Sequence, residues 1–252
     1  MTQWQIVLAS AALAIIPVII WLRIIRGQGE ERALYIKTFI IGTLSVVPPF
    51  ILIFLFEAYP ELNIYSIIAD NIEEVALAAL VTNLIVAVIE EIAKNVIVRI
   101  IDKRHPEHIQ TLSSALKLSI CAGLGFSFAE NIFYFFNIWT NDYYAVSDLF
   151  STFIFRSIVT MCAHMVFSGI FGYFFGIGKF AADVTEQARW EGHRLNFVRF
   201  VSQLTGKMTF QVVRELKNLE GLLLAMGLHT AFNVSLDLEN KLLPILIVLL
   251  SA

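Results

Sequence analysis

The sequence predicts an all-α membrane protein, a polytopic bundle of about seven transmembrane helices with a polar site near mid-membrane. Composition is the first reason. Of the 252 residues, 58% are hydrophobic and only 15% are charged, whereas a soluble domain usually carries about 45–50% apolar and about 25% charged residues. Long apolar segments and the distribution of basic residues between them are the second and third reasons.

Seven apolar segments are predicted as helices, because continuous spans in lipid must pair their backbone groups internally. They cover residues 1–22, 38–56, 75–101, 112–139, 149–178, 221–236 and 242–252. A straight crossing takes about 20 residues, so the seventh segment is the weakest candidate. Pro48 and Pro49 predict a kink in the second. We expect one transmembrane domain over 1–252, with a catalytic core at about 74–236 and a long cytoplasmic loop at 180–220.

Basic residues predict the orientation. Fifteen of the 18 lysines and arginines lie around the first, third and fifth connections, and the positive-inside rule makes those connections cytoplasmic. The N-terminus is then outside. No basic residue precedes the first segment, so we expect a span there and not a cleaved signal peptide. The 180–220 loop mixes aromatic with basic residues, which fits either an amphipathic helix on the cytoplasmic leaflet or a plain helical connector.

Ionisable residues inside the predicted spans are the main sign of function, because each costs at least about 2.5–3.5 kcal/mol on insertion scales. At about 1.5 Å per residue from the nearest cytoplasmic basic residue, four of them on separate helices lie about 14–22 Å deep. This shared layer predicts a polar cavity between helices. The full set is Glu90, Glu91, Lys94, Glu130, Arg156, His164 and His229.

Each of these residues also has a structural interpretation. Glu90, Glu91 and Lys94 have the spacing of an intrahelical ion pair, although one glutamate then lacks a cation of its own. Arg156 fits either a pair with a glutamate, which we favour, or a contact with a substrate carboxylate. His229 and Asn233 share a helix face and are suited to hydrogen bonds between helices.

Other residues are predicted to have ordinary structural roles. Gly172 and Gly176 have the small-xxx-small spacing of close helix packing, and we favour packing also for Gly123 and Gly125. Cys121 and Cys162 are predicted as packed thiols. The remaining histidines, His105, His108 and His193, are predicted as solvated. No dinucleotide, P-loop or nucleic-acid motif is found in the sequence.

Four motifs lie on separate predicted spans: Glu90-Glu91-x-x-Lys94, Phe126-x-x-x-Glu130-Asn131 with Tyr134, His164 with Gly169, and His229-x-x-x-Asn233. Together they resemble the PrsW family of intramembrane proteases, which is related to the CPBP group that includes the CAAX prenyl endopeptidases. The resemblance runs from about residue 74 to residue 233. Where the CAAX enzymes carry a histidine after Phe-x-x-x, this chain has Glu130-Asn131, which is the PrsW form.

The resemblance implies cleavage of a membrane-anchored protein within the bilayer of a bacterial cytoplasmic membrane. In the best-known case the substrate is an anti-sigma factor, which is cut to begin a stress response. The residues carried over as catalytic are Glu90, Glu91, His164, His229 and Asn233. No nucleic-acid partner is expected, and the oligomeric state is left open.

Peptide hydrolysis needs an activated water and a stabilised oxyanion. Glu90 or Glu91 is suited to accept the water's proton, and Asn233 to donate to the oxyanion. His164 and His229, with Glu130 or Glu90, match the three protein ligands of a catalytic zinc site. The sequence leaves open whether zinc or another divalent metal takes part, or whether a glutamate alone activates water.

Two other classes of protein are compatible with buried acids and histidines. A proton-coupled transporter uses them as a relay, but the paired repeats or broken helices common in transporters are not found in this sequence. A non-catalytic membrane-binding or immunity protein would keep the same residues without turnover.

Overall fold

The computed structural model describes residues 2–25, 29–141, 146–190, 196–238 and 242–251. Arg26, Arg194 and Lys241, which belong to the predicted charge pattern, and His193 lie outside these residues. Across the described ranges the chain is almost entirely helical and contains no strand. The predicted all-α polytopic bundle is therefore confirmed, and the protein is a multi-pass membrane protein.

The α-helices are numbered in chain order. The first six are α1 (Gln3–Ile25), α2 (Gly29–Gly42), α3 (Val47–Ala58), α4 (Ile64–Asn71), α5 (Val75–Arg104) and α6 (Leu112–Thr140). The remaining helices are α7 (Val146–Phe155), α8 (Met161–Lys179), α9 (Ala181–Trp190), α10 (Asn196–Thr205), α11 (Thr209–Asp237) and α12 (Leu243–Ser251).

Six helical stretches of the described chain are long and apolar enough to cross a membrane. They are Gln3–Ile25, Glu31–Ala58, Val75–Arg104, Leu112–Thr140, Ser147–Lys179 and Thr209–Asp237. They correspond to the first six predicted segments. The seventh segment forms α12, whose nine residues reach about 14 Å as a helix, well short of a hydrocarbon core of about 30 Å.

Two spans are interrupted. The second contains a 3₁₀ turn at Thr43–Val46, directly before Pro48 and Pro49, because neither proline has an N–H to donate to the preceding turn. The predicted kink stays a prediction, and the 3₁₀ turn marks the irregular position nearest to it. The fifth span contains a single π turn at Arg156–Thr160 between α7 and α8, which the apolar pattern did not indicate.

The predicted 180–220 loop is shorter than expected. Helix α11 begins at Thr209, so the last part of that segment is the polar start of a membrane helix and not a connection. The apolar pattern misses it because those residues mix charges with aliphatic side chains. Within the connection itself, α10 leaves Phe197, Phe200 and Leu204 exposed on one face, which suits a helix lying at the membrane surface.

Helices α5, α6, α8 and α11 surround the interior, with α1 and α2 packed against α6. Glycines allow these helices to approach closely. A side chain at Gly123 would meet the His164 carbonyl and Ser168 of α8, and one at Gly125 would meet the Phe39 carbonyl of α2. The predicted packing role of both glycines is confirmed.

Candidate active site

Helix α5 supplies three charged residues to the interior of the bundle. Glu90, Glu91 and Lys94 are all buried, with at most 6% of each residue exposed. They share one side of α5 because residues three and four apart are neighbours on a helix. Buried charges of this kind must find partners on the facing helices.

Lys94 is the hub of these contacts. Its Nζ donates to Glu91 Oε1 at 2.8 Å, lies 3.0 Å from His164 Nδ1 and is 3.8 Å from Glu90 Oε2. The same ammonium group lies 4.1 Å from the centre of the Phe126 ring. Since an ammonium group has only donors, His164 Nδ1 is the acceptor and its proton is on Nε2.

Glu91 orients the histidine of α11. His229 Nδ1 lies 2.8 Å from Glu91 Oε1, and a carboxylate can only accept, so His229 carries its proton on Nδ1 and leaves Nε2 unprotonated. Phe167 stacks on the other side of the imidazole, with ring centres 5.3 Å apart. This carboxylate–histidine pair is the arrangement that commonly fixes a metal-binding imidazole.

Glu90 differs from Glu91 in having an open partner position. Its Oε2 is buried without a hydrogen-bond partner in the described chain, although His229 Nε2 lies only 3.7 Å away. One ligand atom each from Glu90, His164 and His229 lies within 4.8 Å of the other two. An unpartnered carboxylate oxygen beside two imidazoles is a set of donors that fits a divalent metal ion.

His164 continues the network towards α6 and the fifth span. Its Nε2 lies 3.1 Å from Glu130 Oε2, and Arg156 Nη2 donates to the same oxygen at 2.6 Å. Arg156 Nε donates to Asn131 Oδ1 at 2.6 Å, and its guanidinium stacks on Tyr134 at 3.6 Å. The favoured pairing of Arg156 with a glutamate is confirmed.

The π turn explains how Arg156 and His164 both reach Glu130. Arg156 and His164 are eight residues apart. In a regular α-helix, at about 100° per residue, this spacing would place their side chains about 80° apart around the helix axis. One extra residue taken up by the π turn reduces this angle to about 20°. The interruption therefore turns both side chains towards the same face of α6.

The structure brings together most of the predicted site residues. Glu90, His164 and His229 have ligand atoms within 4.8 Å of one another, Glu91 contacts His229, and Glu130 joins them through His164. Glu130 is not part of the three-residue ligand group, and its Oε2 contacts Arg156 and His164. Asn233 is half-buried, one turn beyond His229 on α11, and forms no side-chain hydrogen bond within the described ranges.

Several contributors were not predicted as site residues. Lys94 was expected only to pair within α5, yet it links α5 to His164. Asn131 holds Arg156, and Phe126 and Phe167 pack against the polar centre. Phe126 and Asn131 lie within the motif that contains Glu130, so the sequence motif already indicated that they lie near the site. Phe167 carried none, because aromatic residues are common along these spans.

A second histidine-containing group lies away from this centre. A 3₁₀ turn at Pro106–His108, preceded by His105, connects α5 to α6. The ligand atoms of His105, Glu107 and His108 also lie within 4.8 Å of one another. Glu107 is exposed, and its pKa is lowered, first by a hydrogen bond to its own backbone and then by the neighbouring imidazoles. His105 also lies 2.8 Å from Lys37 Nζ, which disfavours a bound cation there.

A polytopic helical bundle with glutamates and histidines gathered on its inner faces has the features of an intramembrane protease. A family model described as PrsW family intramembrane metalloprotease matches residues 30–252, and the chain therefore belongs to that family. No curated protein and no solved structure matches it. The protein is an intramembrane protease, which acts on a membrane-embedded protein substrate in the lipid bilayer.

Proposed function

We propose that the protein hydrolyses a peptide bond of a membrane-anchored protein at a metal centre formed by Glu90, His164 and His229. The observation that carries this proposal is the buried, unpartnered Oε2 of Glu90 beside His229. Such an atom is costly to keep in a protein interior without a ligand or a proton. Its neighbours in contact range are two imidazoles and one ammonium group.

A divalent metal held by these three side chains would lower the pKa of a bound water to about 7 and polarise the substrate carbonyl. Zinc suits this combination of imidazole and carboxylate ligands. Glu130 is the less favoured third ligand, because Arg156 and His164 already bind its Oε2. Glu90 would also be the proton acceptor in a metal-independent reaction.

The surrounding residues hold this centre in position. Glu91 accepts a hydrogen bond from His229 Nδ1–H and so directs Nε2 of that imidazole towards Glu90. Lys94 offsets one of the two glutamate charges. His164 has both nitrogens engaged, so binding a metal would replace either its Lys94 contact or its Glu130 contact. The Asn233 amide has no hydrogen-bond partner among the described residues and is our proposed donor to the oxyanion.

The proposed setting is a bacterial cytoplasmic membrane with the N-terminus outside and residues 180–208 on the cytoplasmic side. The basic connections support this orientation through the positive-inside rule. The family suggests a single-span substrate such as an anti-sigma factor. The proposed reaction does not depend on which membrane protein is cut.

The test compares membrane-protein fragments from cells with the wild-type protein and with Glu90→Gln, followed by cleavage of a recovered substrate in proteoliposomes. Gln keeps the shape of Glu but loses its basicity, so we expect cleavage to fall about 10²–10⁴-fold and bound metal, measured by mass spectrometry, to be lost. Glu57→Gln, on the exposed end of α3, is the matched control. A well-folded Glu90→Gln protein that cleaves at the wild-type rate overturns the proposal.

A further inference from the structure

A partly polar cleft lies beside the candidate active site, between α6 and the start of the fifth span. Its volume is about 520 Å³, within the range of about 300–1,000 Å³ found for ligand pockets. Its walls include Tyr134, Asn137 and Ile138 of α6, and Ser151, Thr152 and Arg156 of the fifth span. The cleft therefore borders the two membrane spans that carry Glu130 and His164.

The cleft is continuous with the catalytic network through Arg156. That residue lines the cleft and donates to Glu130, which in turn contacts His164. On α6, Tyr134 and Asn137 lie four and seven residues after Glu130, and residues at this spacing share one helix face. A chain lying in the cleft would therefore lead along this face towards the histidines.

The cleft also offers unused hydrogen-bond donors. Arg156 uses Nε for Asn131 and Nη2 for Glu130, and its guanidinium stacks on Tyr134. Apart from Tyr134, Nη1 has no partner in the described part of the chain. The side chains of Asn137 and Thr152 have none in the same ranges. Because Glu130 already balances the charge of Arg156, a neutral acceptor such as a backbone carbonyl suits this position better than a second carboxylate.

These features match what an intramembrane protease must accommodate. A peptide bond can be attacked only after the substrate helix has unwound locally. The freed backbone groups then need partners, since an unsatisfied one in lipid costs several kcal/mol. An acyl chain has no such need and gains nothing from Arg156, Asn137 or Thr152.

We propose that this cleft binds an unwound stretch of the substrate beside the scissile bond, and that Arg156 donates to a backbone carbonyl in that stretch. This inference rests on the proposed function. It also assigns the entry side, because the cleft lies towards the end of α6 that is opposite the basic connection before Leu112. Under the proposed orientation, the substrate enters from the extracytoplasmic half of the membrane.

A second groove of about 510 Å³ provides a control surface. It is formed by residues near the 3₁₀ turn of the second span and by one side of α5 that includes Ile89, Ile92 and Val96. At about 100° per residue, this side of α5 faces away from Glu90, Glu91 and Lys94. Its almost wholly apolar lining suits lipid, so a change here should leave substrate binding unaltered.

The experiment measures KM and kcat in proteoliposomes, with a single-span reporter that the wild-type protein cleaves. We expect Ser151→Trp, which fills the cleft, to raise KM at least about tenfold, the order of effect of losing one hydrogen bond to a charged group. Ile92→Trp in the second groove should match the wild type. Bound metal should be unchanged in both variants, which separates binding from loss of the metal centre.

Cross-linking identifies the occupant of the cleft. A photo-reactive benzoylphenylalanine in place of Ile138, combined with Glu90→Gln to prevent turnover, should form adducts with the reporter next to its cleavage position, and the same group in place of Ile92 should not. Adducts with lipid alone, or an unchanged KM in Ser151→Trp, overturn the inference while the proposed function stands. A wild-type protein that cleaves no membrane substrate overturns both.

Discussion

Adjacent glutamates at positions 90 and 91 have different environments, and this difference supports the different roles that we propose for them. Side chains of neighbouring helix residues point about 100° apart, so the two carboxylates cannot address one water equally. Glu91 is occupied by Lys94 and His229, each at 2.8 Å. Glu90 Oε2 has no hydrogen-bond partner among the described residues, which is why we propose Glu90 as the residue that acts on a ligand.

The first prediction concerns Glu91→Gln. The amide retains a carbonyl oxygen that can still accept from His229, so the imidazole keeps much of its orientation but loses the stabilising charge. Changes to such a supporting carboxylate typically cost about 10–100-fold in activity or metal affinity. We expect cleavage to fall by that amount and by less than in Glu90→Gln, as measured with the same reporter. A larger loss in Glu91→Gln than in Glu90→Gln would reverse the two assignments.

The second prediction concerns Lys94→Met. Removing this buried ammonium leaves two glutamates without their cation, and breaking a buried pair in this way costs about 3–5 kcal/mol. We expect a lower thermal unfolding midpoint in detergent after chelator treatment. Added zinc should recover part of the loss, because a divalent ion supplies positive charge to the same carboxylates.

Lys217→Met provides the control for this measurement. Lys217 pairs with Glu220 at 2.7 Å on the exposed part of α11, and surface pairs of this kind contribute about 0–1 kcal/mol. Its midpoint should barely change with or without zinc. Equal midpoints for the two variants in chelator would show that Lys94 has no special place in the centre.

At the scale of elements, two irregular turns and a pair of glycines arrange the helices around the site. The π turn aligns Arg156 with His164, and the 3₁₀ turn before Pro48 packs against α6. Gly125 lies at that contact, where an added Cβ would meet the backbone of Phe39 and Thr43. Backbone atoms cannot swing aside as a flexible side chain can.

The third prediction follows from this close approach. Gly125→Ala should destabilise the protein by about 1–3 kcal/mol, the typical cost of forcing an extra carbon into a packed interior. Gly227→Ala is its matched control, because a Cβ at this helical glycine meets no atom within 4 Å. That change should be neutral or stabilising by up to about 1 kcal/mol. Thermal unfolding in one detergent compares them, and equal destabilisation by both would contradict the packing argument.

At the scale of the whole molecule, the charge asymmetry supports the proposed orientation, in which the basic face of the bundle meets the cytoplasm. Basic residues cluster at the ends of α5 and α8 and along the α9–α11 connection, whereas the turn between α3 and α5 is acidic. The exposed aromatic face of α10 is on the same side as the basic group. Anionic lipid headgroups of the cytoplasmic leaflet would be attracted to that side.

The fourth prediction tests this orientation by cysteine labelling in intact cells. Glu61→Cys, in the exposed turn after α3, should react with a membrane-impermeant maleimide. Glu186→Cys, on the exposed side of α9, should react only after the cells are permeabilised. The native Cys121 is buried and Cys162 is half-buried, so the unmodified protein gives the background. The opposite labelling pattern would invert the proposed topology.

The sequence by itself determined the class of fold and the contents of the site. Long apolar segments predict the first six membrane helices because the bilayer permits few alternatives, although the sixth helix begins at Thr209 and the short seventh segment was not excluded as a span. The cost of charges in lipid singles out Glu90, Glu130, His164 and His229 without any structural knowledge. Periodicity also places Glu91 and Lys94 beside Glu90, since they lie on one helix.

Only the tertiary structure decided how these residues pair. Three pairings depend on the rotation of α5, α6, α8 and α11 against one another. They are which glutamate hydrogen-bonds to His229, whether Glu130 contacts Arg156 or a metal site, and the contact between Lys94 and His164. The π turn changes that rotation by one residue, and no apolar pattern records it. Hydropathy depends on what a segment contains, whereas pairing depends on helix phase and distance, which only the packed bundle sets.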